Sequence, residues 1–221
     1  MKQTALLFGA SGLTGSHLLQ QLLQDTAYQE VISFGRRKLE ITHPKLSQQI
    51  LEINTLNDHK SSIKGHTLFC CLGTNIRKAG SKQAFREVDH DYVVSLMQMA
   101  EKNRIPHFLV ISSMGANARS RNFYLRTKGE MEERLKEADI DSKTILRPGL
   151  IMGKRKEFRL GESVAVALMK LISPLMFGTL KKYRGIQAKK IARAMLLLSL
   201  EKHGLRIVES VDLEEIATQT K

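Results

Sequence analysis

Three glycines, Gly9, Gly12 and Gly15, stand three residues apart at the joint between an apolar run, Thr4 to Phe8, and a helix-like stretch from about Gly12 to Gln24. Leu13, Leu18, Leu19, Leu22 and Leu23 recur there at helical spacing. Glycines at such a joint let the chain turn tightly, let backbone approach a bound group and let helix and strand pack closely. The helix start also presents free N–H groups, a ready seat for an anion. The spacing is GxxGxxG and not GxGxxG, and taken alone it fits a plain strand-to-helix turn equally well.

Position gives the turn its meaning. Further strand-like runs occur at Val31 to Phe34, Ile50 to Ile53, Thr67 to Cys71, Phe108 to Ser112 and Lys143 to Leu146. Between them lie a long helical segment, Lys82 to Asn103, with Phe85, Val88, Tyr92, Leu96 and Met99 along one face, and a second from Tyr124 to Glu137. Such alternation is the mark of βαβ units. It predicts an α/β protein with a Rossmann-type, doubly wound parallel sheet, and in that setting the glycine turn reads as a dinucleotide site. Beyond Arg147-Pro148-Gly149 the pattern changes to a basic loop, helix-like runs at Glu162 to Ile172 and Gln187 to Leu200, a short strand near Leu205 to Val208 and a last helical turn at Leu213 to Ala217. At 221 residues the chain suits one core and is short for two. We therefore expect a single domain over 1–221, with 150–221 forming a small C-terminal substrate cap.

Composition closes several other doors. With 42% hydrophobic and 26% charged residues the chain is too apolar for disorder. The most apolar late stretch, Ser163 to Phe177, is broken by Lys170 and Pro174 and falls short of the roughly 20 residues of a membrane helix. The N-terminus reads as a strand instead of a secretory signal, so a cytoplasmic location is expected. Cys70 and Cys71 are adjacent, which suits neither a disulfide framework nor a zinc site, and no metal is expected. The formal charge of +13 draws anions of every kind, nucleotides, nucleic acids and acidic lipids alike. Nucleic acid is disfavoured as a partner because no basic run carries interleaved aromatics and no zinc spacing or recognition helix is present. Peripheral contact with an acidic membrane through Lys154 to Arg159 or Ser163 to Phe177 stays open.

Three strand ends carry chemistry. The second strand runs into Gly35-Arg36-Arg37-Lys38 with no acid between Val31 and Lys38. An acid at this place holds the ribose 2′-hydroxyl of NAD, whereas guanidinium groups suit a 2′-phosphate, so Arg36 and Arg37 predict NADPH. The fourth runs into Leu72-Gly73-Thr74, which would lie near either the adenine-ribose or the nicotinamide half of the cofactor. The fifth ends Ser112-Ser113, and eleven residues after Ser113 come Tyr124 and, four later on the same helical face, Lys128. A tyrosine can give up its proton near neutrality if an ammonium group stabilises the phenolate. That assigns Tyr124 as proton donor, Lys128 as its electrostatic support and Ser113 as a hydrogen-bond partner of the substrate oxygen.

These residues together resemble the short-chain dehydrogenase/reductase superfamily, of the atypical or extended kind. More narrowly, Gly35 to Leu39, Phe69 to Thr74, Val88 to Tyr92 and Arg155 to Glu162 resemble the Tat-interactive oxidoreductase family, whose animal members bind NADPH. The resemblance covers about residues 1 to 162. It implies Gly9, Ser11, Gly12, Leu13 and Thr14 at the pyrophosphate, Arg36 and Arg37 at the 2′-phosphate, and Leu72, Gly73 and Thr74 along the cofactor. It also implies Ser113, Tyr124 and Lys128 as the catalytic group and Pro148, Gly149 and Leu150 closing over the nicotinamide. Two positions depart from the pattern. Glu52 stands where relatives often carry an aspartate near the adenine, and no asparagine is evident to complete a proton relay. Asp89 is a stand-in for it or, in the preferred reading, a surface acid of the long helix.

Two functions are compatible with these residues. One is NADPH-dependent hydride transfer to a small carbonyl compound. The other is a non-catalytic NADPH-binding regulator that acts through a protein partner, a role that members of the resembled family take. The sequence leaves monomer and dimer equally open.

Overall fold

A computed structural model describes residues 3–52, 63–153 and 185–219. The chain enters β1 (Gln3–Phe8) as Ala-Leu-Leu-Phe, apolar on both faces, which is what a strand with a helical layer on each side requires. Ala5 and Leu7 turn toward one layer, Leu6 and Phe8 toward the other. Helix α1 (Leu13–Gln24) leads back to β2 (Tyr28–Gly35), and β3 (Leu46–Ile50) comes next. After β4 (Thr67–Cys70) come the short helices α2 (Ile76–Ala79) and α3 (Lys82–Arg86), a π-helical turn over Glu87–Asp91 and α4 (Tyr92–Lys102). Then β5 (His107–Ile111), α5 (Phe123–Glu137) and β6 (Ser142–Arg147) complete the next unit. A two-residue pair, β7 (Ile151–Met152) and β8 (Ile186–Gln187), precedes α6 (Ala188–Leu198), β9 (Leu205–Glu209) and α7 (Ser210–Thr218).

Among the described residues the main sheet has seven strands in the order β3-β2-β1-β4-β5-β6-β9, every pairing parallel. This is the expected Rossmann-type arrangement. The chain reverses direction across the sheet between β1 and β4, which opens a crevice at their carboxyl ends. Helices α1, α6 and α7 cover one face, and α4 and α5 the other.

Several expectations are corrected. The third strand lies at Leu46–Ile50, upstream of the apolar run Ile50 to Ile53. It is a partly exposed edge strand of sequence Leu-Ser-Gln-Gln-Ile, held by Gln48, whose side chain accepts from Leu39 N at 2.8 Å and donates to Ile41 O at 3.1 Å. The helix expected from Lys82 to Asn103 is three pieces, with α2 before it. Gly80, at φ +85°, ends α2, while Asn75 and Ser81 cap α2 and α3 by accepting from Lys78 N and Ala84 N. Of the 150–221 segment expected to contribute a cap, residues 150–153 and 185–219 are described. In it β9 pairs with β6 as the seventh strand and α6 lies on α1, with Ile191 and Met195 among the leucines of the first helix. The remaining stretch, 154–184, with the expected helix Glu162 to Ile172 and the segments considered for membrane contact, lies outside the described residues.

At the opposite edge of the sheet, His107 and His203 meet over Thr144. The Thr144 hydroxyl lies 3.1 Å from His107 Nε2 and 2.8 Å from His203 Nε2, and the rings stand 5.2 Å apart edge to face. Burial, with the neighbouring His203, pushes His107 down to about 4. Folded protein therefore refuses a proton that the unfolded chain accepts below about 6.5. Stability should fall as pH drops from 6.5 to about 4, by on the order of 3 kcal/mol from this group. Urea titrations of the His107→Gln protein across that range should show a shallower decline than those of the parent.

Candidate active site

The chain leaves β1 at Gly9 with φ +88°, a conformation that side chains resist. A Cβ there would also lie 2.6 Å from the backbone C and O of Cys71, just past β4, and one on Gly15 would overlap the Gly9 carbonyl. Both glycines are thus demanded by close approach of backbone to backbone. The Gly12 N–H closes the turn on Gly9 O at 3.0 Å. Helix α1 then begins with no capping side chain and no acid in its first turn. Ser11 and Gly12 are exposed, Leu13 is half-buried and Thr14 is buried. Bare first-turn amides at the sheet's carboxyl edge fit a dinucleotide pyrophosphate in shape and in charge.

Arg36 and Arg37 come directly after β2 and are exposed, with no hydrogen bond or ion pair to either among the described residues. Arg36 lies close enough to Tyr92 to act on it. Burial and the hydrogen bond from the phenol to Glu87 Oε1, 2.9 Å, raise the Tyr92 pKa, and Arg36 opposes them. Glu52 is exposed in the same neighbourhood. Past β4, Leu72 and Thr74 are half-buried and Gly73 is exposed.

Asp89 overturns its expected place on the surface. It is 1% exposed, its Oδ2 accepts from Thr74 N at 2.8 Å and its Oδ1 lies 2.7 Å from Lys128 Nζ. The inward residues of this stretch are Phe85, Asp89, Val93, Leu96, Met97, Met99 and Ala100, whereas Val88 and Tyr92, expected inside with Phe85, Leu96 and Met99, are half-buried. The extra residue of the π turn rotates α4 relative to α3, and the register moves with it. The signal was available, since Asp89 stands four residues after Phe85.

Lys128 is the pivot of the site. Its side chain is 4% exposed, and its ammonium pairs with Asp89 and donates to Ile111 O, the last residue of β5, at 3.3 Å. Burial alone would lower its pKa, but Asp89 and the Tyr124 phenol outweigh that and hold it above the ordinary lysine value. Tyr124, one turn earlier on α5, is half-buried with its ring 5.4 Å from that of Phe85. Ser113 lies two residues beyond Ile111, half-buried, its hydroxyl 3.3 Å from Met114 O. Ser113, Tyr124 and Lys128 therefore flank one carboxyl edge, next to the glycine turn. Pro148 is buried, and its carbonyl accepts from Met114 N at 3.0 Å. Gly149 is half-buried and Leu150 exposed.

Behind this group sits a network that sequence reasoning missed. Glu132, 1% exposed, accepts from Ser112 Oγ at 2.5 Å and takes a forked pair from Arg147, with Nε at 3.0 Å and Nη2 at 2.5 Å. Arg147 also reaches Glu209 at 3.1 Å and Ala116 O at 3.4 Å. The carboxylates raise the Arg147 pKa well beyond its usual value. One buried acid thereby joins α5, the end of β5 and the end of β6. Gly129 lets the loop come close, because a Cβ there would overlap the backbone of Asn117 and Ala118. Among the described residues no group of three His, Cys, Asp or Glu side chains could hold a metal ion. Replacing Asp89 by Ala would strand the Lys128 ammonium without a counter-charge. The expected cost is about 3–5 kcal/mol in denaturant titrations at neutral pH. The loss should shrink as pH rises, because the unpaired lysine then sheds its proton within the fold.

Known proteins point the same way. Residues 9–165 match the model of a family described as NAD(P)H-binding. Protein HTATIP2 of Rattus norvegicus is 36% identical over 167 residues, 74% of this chain and 69% of that protein. The mitochondrial protein FMP52 of Eremothecium gossypii is 29% identical over 219 residues, 97% of each. The crystal structure of the oxidoreductase ylbE from Lactococcus lactis superimposes with a TM-score of 0.67 at 16% identity, covering 98% of this chain and 97% of that one, a likeness of fold. A glycine turn with bare helix amides, set in a parallel sheet with these relatives, makes the chain a member of the NAD(P)H-binding family.

Proposed function

We propose that the protein is an NADPH-dependent oxidoreductase of the atypical short-chain dehydrogenase/reductase type that reduces a small carbonyl compound. The observation that carries this reading is the buried, protonated Lys128 beside Tyr124 at the carboxyl edge that also holds the glycine turn. The first-turn amides from Ser11 to Thr14 would hold the pyrophosphate, Arg36 and Arg37 the 2′-phosphate, and Leu72 to Thr74 and Pro148 to Leu150 the rest of the cofactor. Bound there, the reduced nicotinamide would supply a hydride to the carbonyl carbon, leaving NADP and, with one proton, an alcohol.

The chain's own groups handle that proton. Ser113 Oγ donates a hydrogen bond to the carbonyl oxygen and fixes its place. The Tyr124 hydroxyl gives its proton to the same oxygen, and the Lys128 cation steadies the phenolate left behind. Asp89 keeps Lys128 charged and stationary, so the lysine acts through its field and does not itself give up a proton. Asp89 also grips Thr74 N, which ties the cofactor side of the crevice to the catalytic side.

A cytoplasmic location remains part of this reading, although the FMP52 relatives carry the word mitochondrial in their names. Among the described residues no helix is long and apolar enough to cross a membrane. NADPH bound at one per chain without turnover on a broad panel of aldehydes and ketones would favour the regulatory reading instead.

Two measurements test the assignment. Tyr124→Phe should lower kcat by about 10²–10⁴-fold on a confirmed substrate while NADPH still binds; unchanged turnover would remove the tyrosine from the reaction. Replacing both Arg36 and Arg37 by Gln should weaken NADPH binding by tenfold or more, on the order of one charge-assisted contact, and leave NADH binding unchanged.

A further inference from the structure

Two connections leave the sheet on either side of Tyr124, one from β4 through α2 and α3, the other from β5 into the first turn of α5. Neither carries an acid. No Asp or Glu occurs between Gly65 and Arg86, nor between Ile105 and Gly129. At the chain's own frequency of 22 acids in 221 residues, stretches of this length would hold several. The same connections bring Arg77, Lys78, Lys82 and Arg86 from one side and Arg119, Arg121 and Arg126 from the other.

Packing brings Lys82, Arg86 and Arg126 of these cations together at the start of α5, and the backbone of Arg121 beside them. Phe85 of α3 meets Phe123 and Tyr124 of α5, with ring centroids 6.0 and 5.4 Å away. Lys82 Nζ and Arg126 Cζ each lie 5.6 Å from the centre of the Phe123 ring, so that ring meets a cation from each connection. Arg86 and Arg126 share a single acid, Glu130, the first after the acid-free stretch. One carboxylate against two guanidinium groups leaves a surplus. Arg77, Lys82, Arg119 and Arg121 are all exposed and form no ion pair among the described residues.

Arg36 and Arg37 lie past β2, whereas these cations lie past β4 and β5, on the other side of β1 in the strand order. Gathered like charges repel one another, and a cleft mouth lined by them draws in ions of the opposite sign. We propose that the substrate reduced at Tyr124 is an anionic carbonyl compound, a small aldehyde or ketone carrying a carboxylate or phosphate that rests on Lys82, Arg119 and Arg121. This rests on the reductase reading above. The carbonyl carbon takes the hydride of NADPH and its oxygen takes the Tyr124 proton, giving a hydroxy acid or a phosphorylated alcohol with NADP. The acidic group keeps its charge throughout.

Matched pairs test this: 4-carboxybenzaldehyde against methyl 4-formylbenzoate, succinic semialdehyde against its methyl ester, and dihydroxyacetone phosphate against dihydroxyacetone. The third pair separates phosphate from carboxylate recognition. Calorimetric titration into NADP-loaded protein should show the charged member of at least one pair binding about tenfold more tightly, with the gap narrowing as salt rises. Lys82→Gln, Arg119→Gln and Arg121→Gln combined should close the gap, and Lys202→Gln, at the far edge of the sheet, should not. NADPH titration of each variant, with Arg119→Gln alone as a milder case, reports whether the fold is kept. Equal affinity within every pair, no binding of any member, or a gap that survives in the folded triple variant would overturn the proposal. Turnover is read separately. Charge-selective binding that never oxidises NADPH would sink the reductase reading and leave the anion site standing, whereas turnover of neutral members alone would do the reverse.

Discussion

A charged amine sealed under a parallel sheet is tolerable only with its opposite beside it, and the Lys128–Asp89 pair meets that demand at 2.7 Å. The rest of the site hangs on this contact. Lys128 belongs to α5 and reaches the last carbonyl of β5, while Asp89 belongs to the π turn and holds the amide of Thr74 beyond β4. Four segments that bound the crevice are thus fixed by one ion pair. Its geometry leaves the lysine unable to wander toward solvent. The Glu132–Arg147 pair does similar work one layer behind, joining α5 to the ends of β5 and β6.

The crevice divides its labour along the strand order. On the β1 and β2 side lie the glycine turn, the uncapped helix and two exposed arginines, all suited to phosphate. On the β4 and β5 side lie Ser113, Tyr124 and Lys128, with a second set of cations around them. The division is a product of topology, because crossovers leaving β1 and β4 depart in opposite directions and leave the ends of those two strands uncovered.

Much of this was legible in the chain. Alternating runs gave the parallel sheet because strands buried on both faces are apolar without interruption, as Ala5 to Phe8 are. The glycine turn was legible because its spacing answers a steric demand, which the approach of Gly9 to Cys71 makes visible. Ser113, Tyr124 and Lys128 could be paired because helical periodicity and a strand end define where they stand. Asp89 was misplaced because an acid on a helix defaults to the surface, and only its partner, distant in sequence, reverses the default. Glu132 escaped notice for the same reason, its partner Arg147 lying on another element. The third strand was set too late because an edge strand is partly polar, and Leu46–Ile50 offers no apolar run. That β9 docks beside β6 was not legible, because local pattern does not reveal which strand a late strand joins.

That docking has a bearing on how the molecule is made. The leucines of α1 are covered by α6, and Gln21 donates to the carbonyl of Lys189, 168 positions further along. During synthesis the first helix is finished early, yet the surface that shelters it has not been translated. At roughly 5–20 residues per second, the nascent chain holds a greasy flank open for on the order of ten seconds or more. Contacts of such long reach also slow the final folding step, because the entropy of closing so long a loop is spent before they form.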